Sequence, residues 1–136
     1  MEKAETPLQH VQATIAQACQ IARREPGEVT LIAVSKMHPA AAIEPLLRED
    51  QRHFGENRVQ EAQGKWPALR EAHPAVQLHL IGQLQSNKAD DAVALFDVIH
   101  SLDRPSLVKA LGKAMDKADK RVPCFVQGAL GEEQQK

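Results

Sequence analysis

Val29-Thr-Leu-Ile-Ala-Val-Ser35, followed at once by Lys36, is the stretch on which the fold turns. The run is almost continuously apolar and β-branched, without the alternation of a half-solvated strand. A strand covered on both faces reads this way, and such strands belong to parallel sheets. Working outward, four more short runs have strand character: Arg52–Phe54, Val76–Ile81 (VQLHLI), Phe96–His100 (FDVIH) and Pro123–Gln127. Helical patterns separate them. The first opens at His38-Pro39 and carries Ala42, Ile43, Leu46 and Leu47, with Pro45 expected to kink or break it. Asn57 is a good N-cap for a polar helix from Arg58 to about Trp66 that Pro67 should end. Ser86 or Asn87 can cap a short helix with Val93, Ala94 and Leu95. Asp103 can cap another, striped by Leu107, Val108, Leu111, Met115 and Ala118. Upstream, Thr6, Pro7 and Gln9 form a capping box ahead of a helix that Pro26-Gly27 terminates. One helix followed by β-α-β-α-β-α-β-α-β predicts an α/β fold, a parallel sheet with its helices outside, over residues 1–136 as a single domain.

The 136 residues have ordinary globular composition, 43% hydrophobic and 26% charged. Lys plus Arg is 17 and Asp plus Glu is 18, a formal net charge of -1. That balance removes the basic excess of a nucleic-acid binder and argues against tethering to an anionic membrane. No apolar run approaches the ~18 residues of a spanning helix, and the polar start MEKAETPLQH is not a signal peptide. Cys19 and Cys124 lie far apart and read as small buried or half-buried residues of a reduced, cytoplasmic protein. The six histidines show no helical metal-ligand spacing, so no metal site is expected.

In parallel α/β folds, ligands bind at the C-terminal ends of the strands. The polar residues there are Ser35-Lys36, Gly55-Glu56-Asn57, Gly82-Gln83, Ser101 and Gln127-Gly128. Lys36 is the sharpest of them. An amine that emerges partly desolvated from the sheet can condense with a carbonyl, whereas one that snorkels to solvent is only a strand-end charge.

Four segments then occur in order: AVSK at 33–36, HFGENRVQE at 53–61, LHLIGQLQSNK at 78–88 and IHSLDR at 99–104. Together they resemble the pyridoxal phosphate homeostasis proteins, the YggS/PROSC family, from about Val29 to the last residue. The resemblance implies the (β/α) TIM-type barrel of the alanine racemase N-terminal domain. A complete barrel needs about 200 residues or more, so an incomplete barrel of about five strands is expected, without the later segments that hold the cofactor phosphate.

The resemblance further implies that Lys36 holds pyridoxal 5'-phosphate as a Schiff base. Asn57 stands beside the cofactor or caps a helix. His79 and Ser101 line the same pocket, or are respectively a core histidine and a turn residue. Gly82, Asn87 and Lys88 are expected to shape their loop, and Asp103-Arg104 to combine a cap with a surface charge. Ala129 stands where the family carries an Asn.

The implied function is cofactor homeostasis without a turnover reaction. The partners are pyridoxal phosphate and the enzymes that require it, with no nucleic acid and no membrane. A monomer is expected for the full family and self-association is open to this short chain. The alternatives are a truncated, inactive fragment or one completed by a partner. A racemase is disfavoured, because the chain has no Tyr to serve as second base.

Overall fold

A computed structural model describes residues 4–128 and Leu130. Ala129 and the GEEQQK tail therefore lie outside the described residues. The chain falls into two compact units, residues 1–31 and 32–136. The first holds helix α1 (Pro7–Ala22), whose capping box forms as its sequence requires: Gln9 N–H donates to Thr6 Oγ1 at 3.1 Å and Thr6 N–H to Gln9 Oε1 at 3.0 Å.

The second unit alternates β1 (Ala33–Val34), α2 (Ala40–Arg48), β2 (His53–Glu56), α3 (Val59–Ala72), β3 (Gln77–Leu80), α4 (Ala89–Leu95), β4 (Val98–Leu102), α5 (Pro105–Ala118) and β5 (Cys124–Val126). The strands lie in sequence order β1-β2-β3-β4-β5, every pair parallel. One core joins the outer face of the sheet to the helices. Phe54, Leu78, Leu80 and Ile99 meet Ile43, Trp66, Val93, Leu107 and Leu111 in a single buried cluster. Each strand sends alternate side chains to that cluster and the others to the opposite, inner face. Two links tie neighbouring elements together at the N-terminal rim. Arg70 pairs with Asp97 at 2.9 Å, and Asp97 accepts from Leu78 N–H at 2.7 Å. Lys120 donates to Val93 O at 2.7 Å.

The element order agrees with the sequence reading, but several boundaries differ for physical reasons. The apolar run 29–35 ladders only through Ala33 and Val34, because β1 pairs with β2 alone; Val34 is 50% exposed rather than covered on both faces. Pro45 does not end its helix, which runs on to Arg48 with Ile43 and Leu47 buried. Pro67 does not terminate α3 either. Its missing N–H and ring clash cost about 3 kcal/mol, yet Trp66 and Leu69, both buried, carry the helix on to Ala72. Asn57 is not the cap of α3; that position falls to Arg58, whose side chain makes no cap bond. Neither Ser86 nor Asn87 caps α4, since both lie in a 3-10 turn and Lys88 takes the cap position. Asp103 is likewise one residue early, with Arg104 at the cap of α5. Cys19 is buried and Cys124 half-buried, both as free thiols. No described helix is long and apolar enough to cross a membrane.

Phe96 is fully buried where α4 turns into β4. Phe96→Ala should lower stability by about 3–5 kcal/mol, read as a shift of the urea midpoint at unchanged m-value.

Candidate functional site

Parallel pairing lines up the C-terminal strand ends. Ala33 pairs with Phe54 and Val34 with Gly55, so Lys36 and Asn57, each two residues beyond the last rung, emerge side by side at the rim. Gly55 pairs in turn with His79, and Ile81 N–H donates to Glu56 O at 2.9 Å. A Cβ on Gly55 would stand 3.1 Å from both Ile32 and Ile81, so the missing side chain lets these two close over Gly55 as an apolar floor beneath the rim. Gly82 is required more strictly. A Cβ there would meet Asn57 O at 2.4 Å, so the loop after β3 lies flush on the backbone of Asn57.

The four expected site residues divide. Lys36 and Asn57 come together at the rim. His79 is buried on the inner face, one rung below. Ser101 is fully buried near the end of β4, where the pairing with β5 shifts register between Ile99 and Leu102, and its Oγ is without a hydrogen-bond partner among the described residues. Lys36 is exposed rather than partly desolvated, because β1 is an edge of the described sheet. Arg104 does more than carry surface charge. It donates to Leu84 O at 2.6 Å and to Asp103 at 2.7 Å, tying the loop after β3 to the start of α5.

Two arrangements escaped the sequence reading. The first is a buried ion pair. The Glu56 carboxyl, at 0% exposure, pairs with the Lys65 ammonium at 2.9 Å and accepts from Ser35 Oγ at 2.5 Å and from Trp66 Nε1 at 2.9 Å. Lys65 also donates to Ser35 O at 2.7 Å, to His38 O at 2.8 Å and to Glu61 at 3.1 Å. Met37 N–H donates to the same Glu61 oxygen at 2.5 Å. Desolvation pushes the Glu61 carboxyl upward, but the hydrogen bonds from Lys65 and Met37 outweigh it and its pKa falls. The turn that carries Lys36 is thus gripped from α3. The available signal was Glu61 and Lys65 at i,i+4 spacing behind FGEN.

The second is a histidine chain across the inner face. His53 Nδ1 lies 3.0 Å from His79 Nε2, and His79 Nδ1 lies 2.9 Å from His100 Nε2; His100 then stacks on Phe125 with centroids 4.9 Å apart. Each ring shares a proton with the next, which a neutral imidazole does by donating at one nitrogen and accepting at the other. Burial, then the neighbouring His100 and His53, lower the pKa of His79 to about 4, against a smaller upward pull from Asp97. Burial also lowers His100. The signal in the sequence was one His in each of three successive strands. The three rings are strung in a line, and no group of His, Cys, Asp or Glu among the described residues is placed to hold a metal.

The sequence matches the alanine racemase N-terminal domain family over residues 7–132, a match that takes in α1 as well as the sheet. The chain belongs to this family. It is 38% identical over 115 residues to the pyridoxal phosphate homeostasis protein of Vibrio cholerae, covering 83% of this chain and 49% of that protein. To the protein of the same name from Pseudomonas aeruginosa it is 42% identical over 103 residues, covering 76% and 44%. The structure resembles PipY of Synechococcus elongatus without PLP, with a TM-score of 0.76 and 42% identity over 90% of this chain and 56% of PipY. With PLP bound, PipY matches at a TM-score of 0.69 and 45% identity, covering 81% and 52%. The chain thus spans about half the length of these relatives, and its fold is the corresponding part of a TIM-type barrel. The relatives are named for the homeostasis of a cofactor, not for a turnover reaction.

Three variants test the geometry. Gly82→Ala should destabilise by about 1–3 kcal/mol, because the added Cβ meets backbone rather than a yielding side chain. Lys65→Met leaves Glu56 buried without its cation and should cost about 3–5 kcal/mol; denaturant titration reads both. The histidine chain sets a pH limb. Below 6.5 the unfolded chain takes up a proton at His79 that the folded chain refuses until about 4. Stability should therefore fall between those two values, by about 3 kcal/mol, and level off below. His79→Gln should flatten most of that limb in urea midpoints measured against pH.

Proposed function

We propose that this chain binds pyridoxal 5'-phosphate as a Schiff base on Lys36 and serves cofactor homeostasis in the cytoplasm, with cofactor-requiring enzymes as the recipients. The observation that supports it most is the placement of an exposed primary amine at the C-terminal end of β1, in register with Asn57 and above the apolar floor of Ile32 and Ile81. A PLP-bound relative of the same fold supports the choice of cofactor.

The residues fit the aldehyde end of the cofactor. Condensation joins Lys36 Nζ to the aldehyde carbon and releases water, and the bound cofactor supplies an electron-withdrawing ring. This chain's own residues hold the amine at the rim, offer an amide at Asn57 and keep an apolar floor. His79 and His100 stay neutral below the rim at pH 7 and add no charge there. Ser101 is buried in β4 with its hydroxyl unpartnered among the described residues.

Barrels of this type often bind phosphate with the loops after the seventh and eighth strands, and the described strands number five. A second reading, a barrel part completed by a partner, draws on Phe125 at 59% and Val126 at 81% exposure on β5, which pairs with β4 alone among the described strands.

Titration with pyridoxal phosphate should raise the visible absorbance of the adduct, and Lys36→Ala should abolish it. An equal adduct in the variant would remove Lys36 as the site. Mass in solution, measured alongside, separates a monomer from a self-completed barrel.

A further inference from the structure

Residues 35–38 form a tight turn, closed by His38 N–H donating to Ser35 O at 3.1 Å. Its third residue, Met37, has φ 64°, a left-handed conformation that costs a non-glycine residue about 1–2 kcal/mol. Nothing in the Met37 side chain offsets this, since it is 84% exposed. The compensation comes from α3. Lys65 Nζ takes the carbonyls at both ends of the turn, Ser35 O and His38 O, and the Glu61 carboxylate takes the N–H in its middle, at Met37. Glu61 and Lys65 are themselves paired at 3.1 Å. The peptide bond held by Glu61 is the one that joins Lys36 to Met37.

A long, flexible side chain inherits its aim from the backbone that carries it. With that peptide group free to rotate, the amine of Lys36 would sweep a wide arc at the sheet edge; with it fixed, the side chain leaves from one direction beside Asn57. The Glu61 side chain is 30% exposed, so its ion pair contributes little to global stability. Its larger effect is local.

We propose that Glu61 is a positioning residue for Lys36: its carboxylate locks the Lys36–Met37 peptide so that the amine is presented to an aldehyde ligand anchored on the inner face. The proposal rests on the reading of Lys36 as the Schiff-base lysine. It implies that a ligand with a second point of attachment is sensitive to Glu61, while a small aldehyde with none is not.

The test compares wild type, Glu61→Ala and Glu61→Gln in the full chain. Four measurements are needed: the pyridoxal phosphate adduct by absorbance, methylation of Lys36 by formaldehyde with cyanoborohydride read by peptide mass, amide exchange at Met37, and urea unfolding. Glu61→Ala should weaken the adduct about tenfold and speed exchange at Met37, with methylation of Lys36 and the urea midpoint nearly unchanged. Glu61→Gln, whose amide oxygen still accepts from Met37 N–H, should recover adduct affinity to within about twofold. An adduct in Glu61→Ala as tight as in wild type would overturn the inference. So would a parallel loss of adduct and methylation, which would show that the amine itself, not its aim, had changed. A wild-type chain with no adduct while Lys36 still methylates is a separate outcome: it removes the Schiff-base reading, and the positioning role falls with it.

Discussion

The buried pair of Glu56 and Lys65 is the constraint on which the functional rim depends. Glu56 ends β2, Lys65 sits in α3, and their contact at 2.9 Å lies in the core, with Lys65 at 10% and Glu56 at 0% side-chain exposure. Removing both groups from water costs several kcal/mol per ion unless further hydrogen bonds satisfy them. Those bonds come from the β1 end: the Ser35 hydroxyl to Glu56, and the Ser35 and His38 carbonyls to Lys65. The pair therefore draws in the turn that follows the edge strand, which partners Lys65 and one oxygen of Glu56, while Glu56 Oε1 has no hydrogen-bond partner among the described residues. Packing alone holds the edge weakly, since β1 ladders through two residues. The candidate lysine has a defined place because a charge in the core needs the backbone next to it.

The two faces of the sheet then do different work. The helix side is a conventional apolar core around Phe54, Leu78, Leu80 and Ile99. The inner face is polar at its centre, with three imidazoles in a row, and apolar toward the rim at Ile32, Gly55 and Ile81. Rings that satisfy one another close the polar ladder without further partners. Lys36 and Asn57 emerge at the rim, where Gly82 seats the next loop against Asn57.

Much of this was legible in the residues. The capping box of α1, the alternation of elements and the rim positions of Lys36 and Asn57 follow from local pattern and from the rule that strand ends carry the site. What failed was local chemistry overruled by packing. Pro67 reads as a stop, but Trp66 and Leu69 bury on either side of it and the helix continues. Ser101 reads as a strand-end turn residue, but β4 extends to Leu102 and buries Ser101 within the strand. The positions of Asn57 and Asp103 ahead of their helices invite a cap reading that falls one residue short of the observed start.

By itself the sequence determined the class of fold, the order of its parts and the lysine at the end of the first strand, because hydrophobic period and turn chemistry act over a few residues. It also carried the family, through motifs whose order survives along the chain. Only the tertiary structure decided what lies beside what: the ion pair 9 residues apart in sequence, the clamp between residues 37 and 61, and the histidine chain drawn from three strands. The physical reason is register. A parallel sheet brings together residues some 20 or more positions apart, and a slip of one residue would send each of them to the other face.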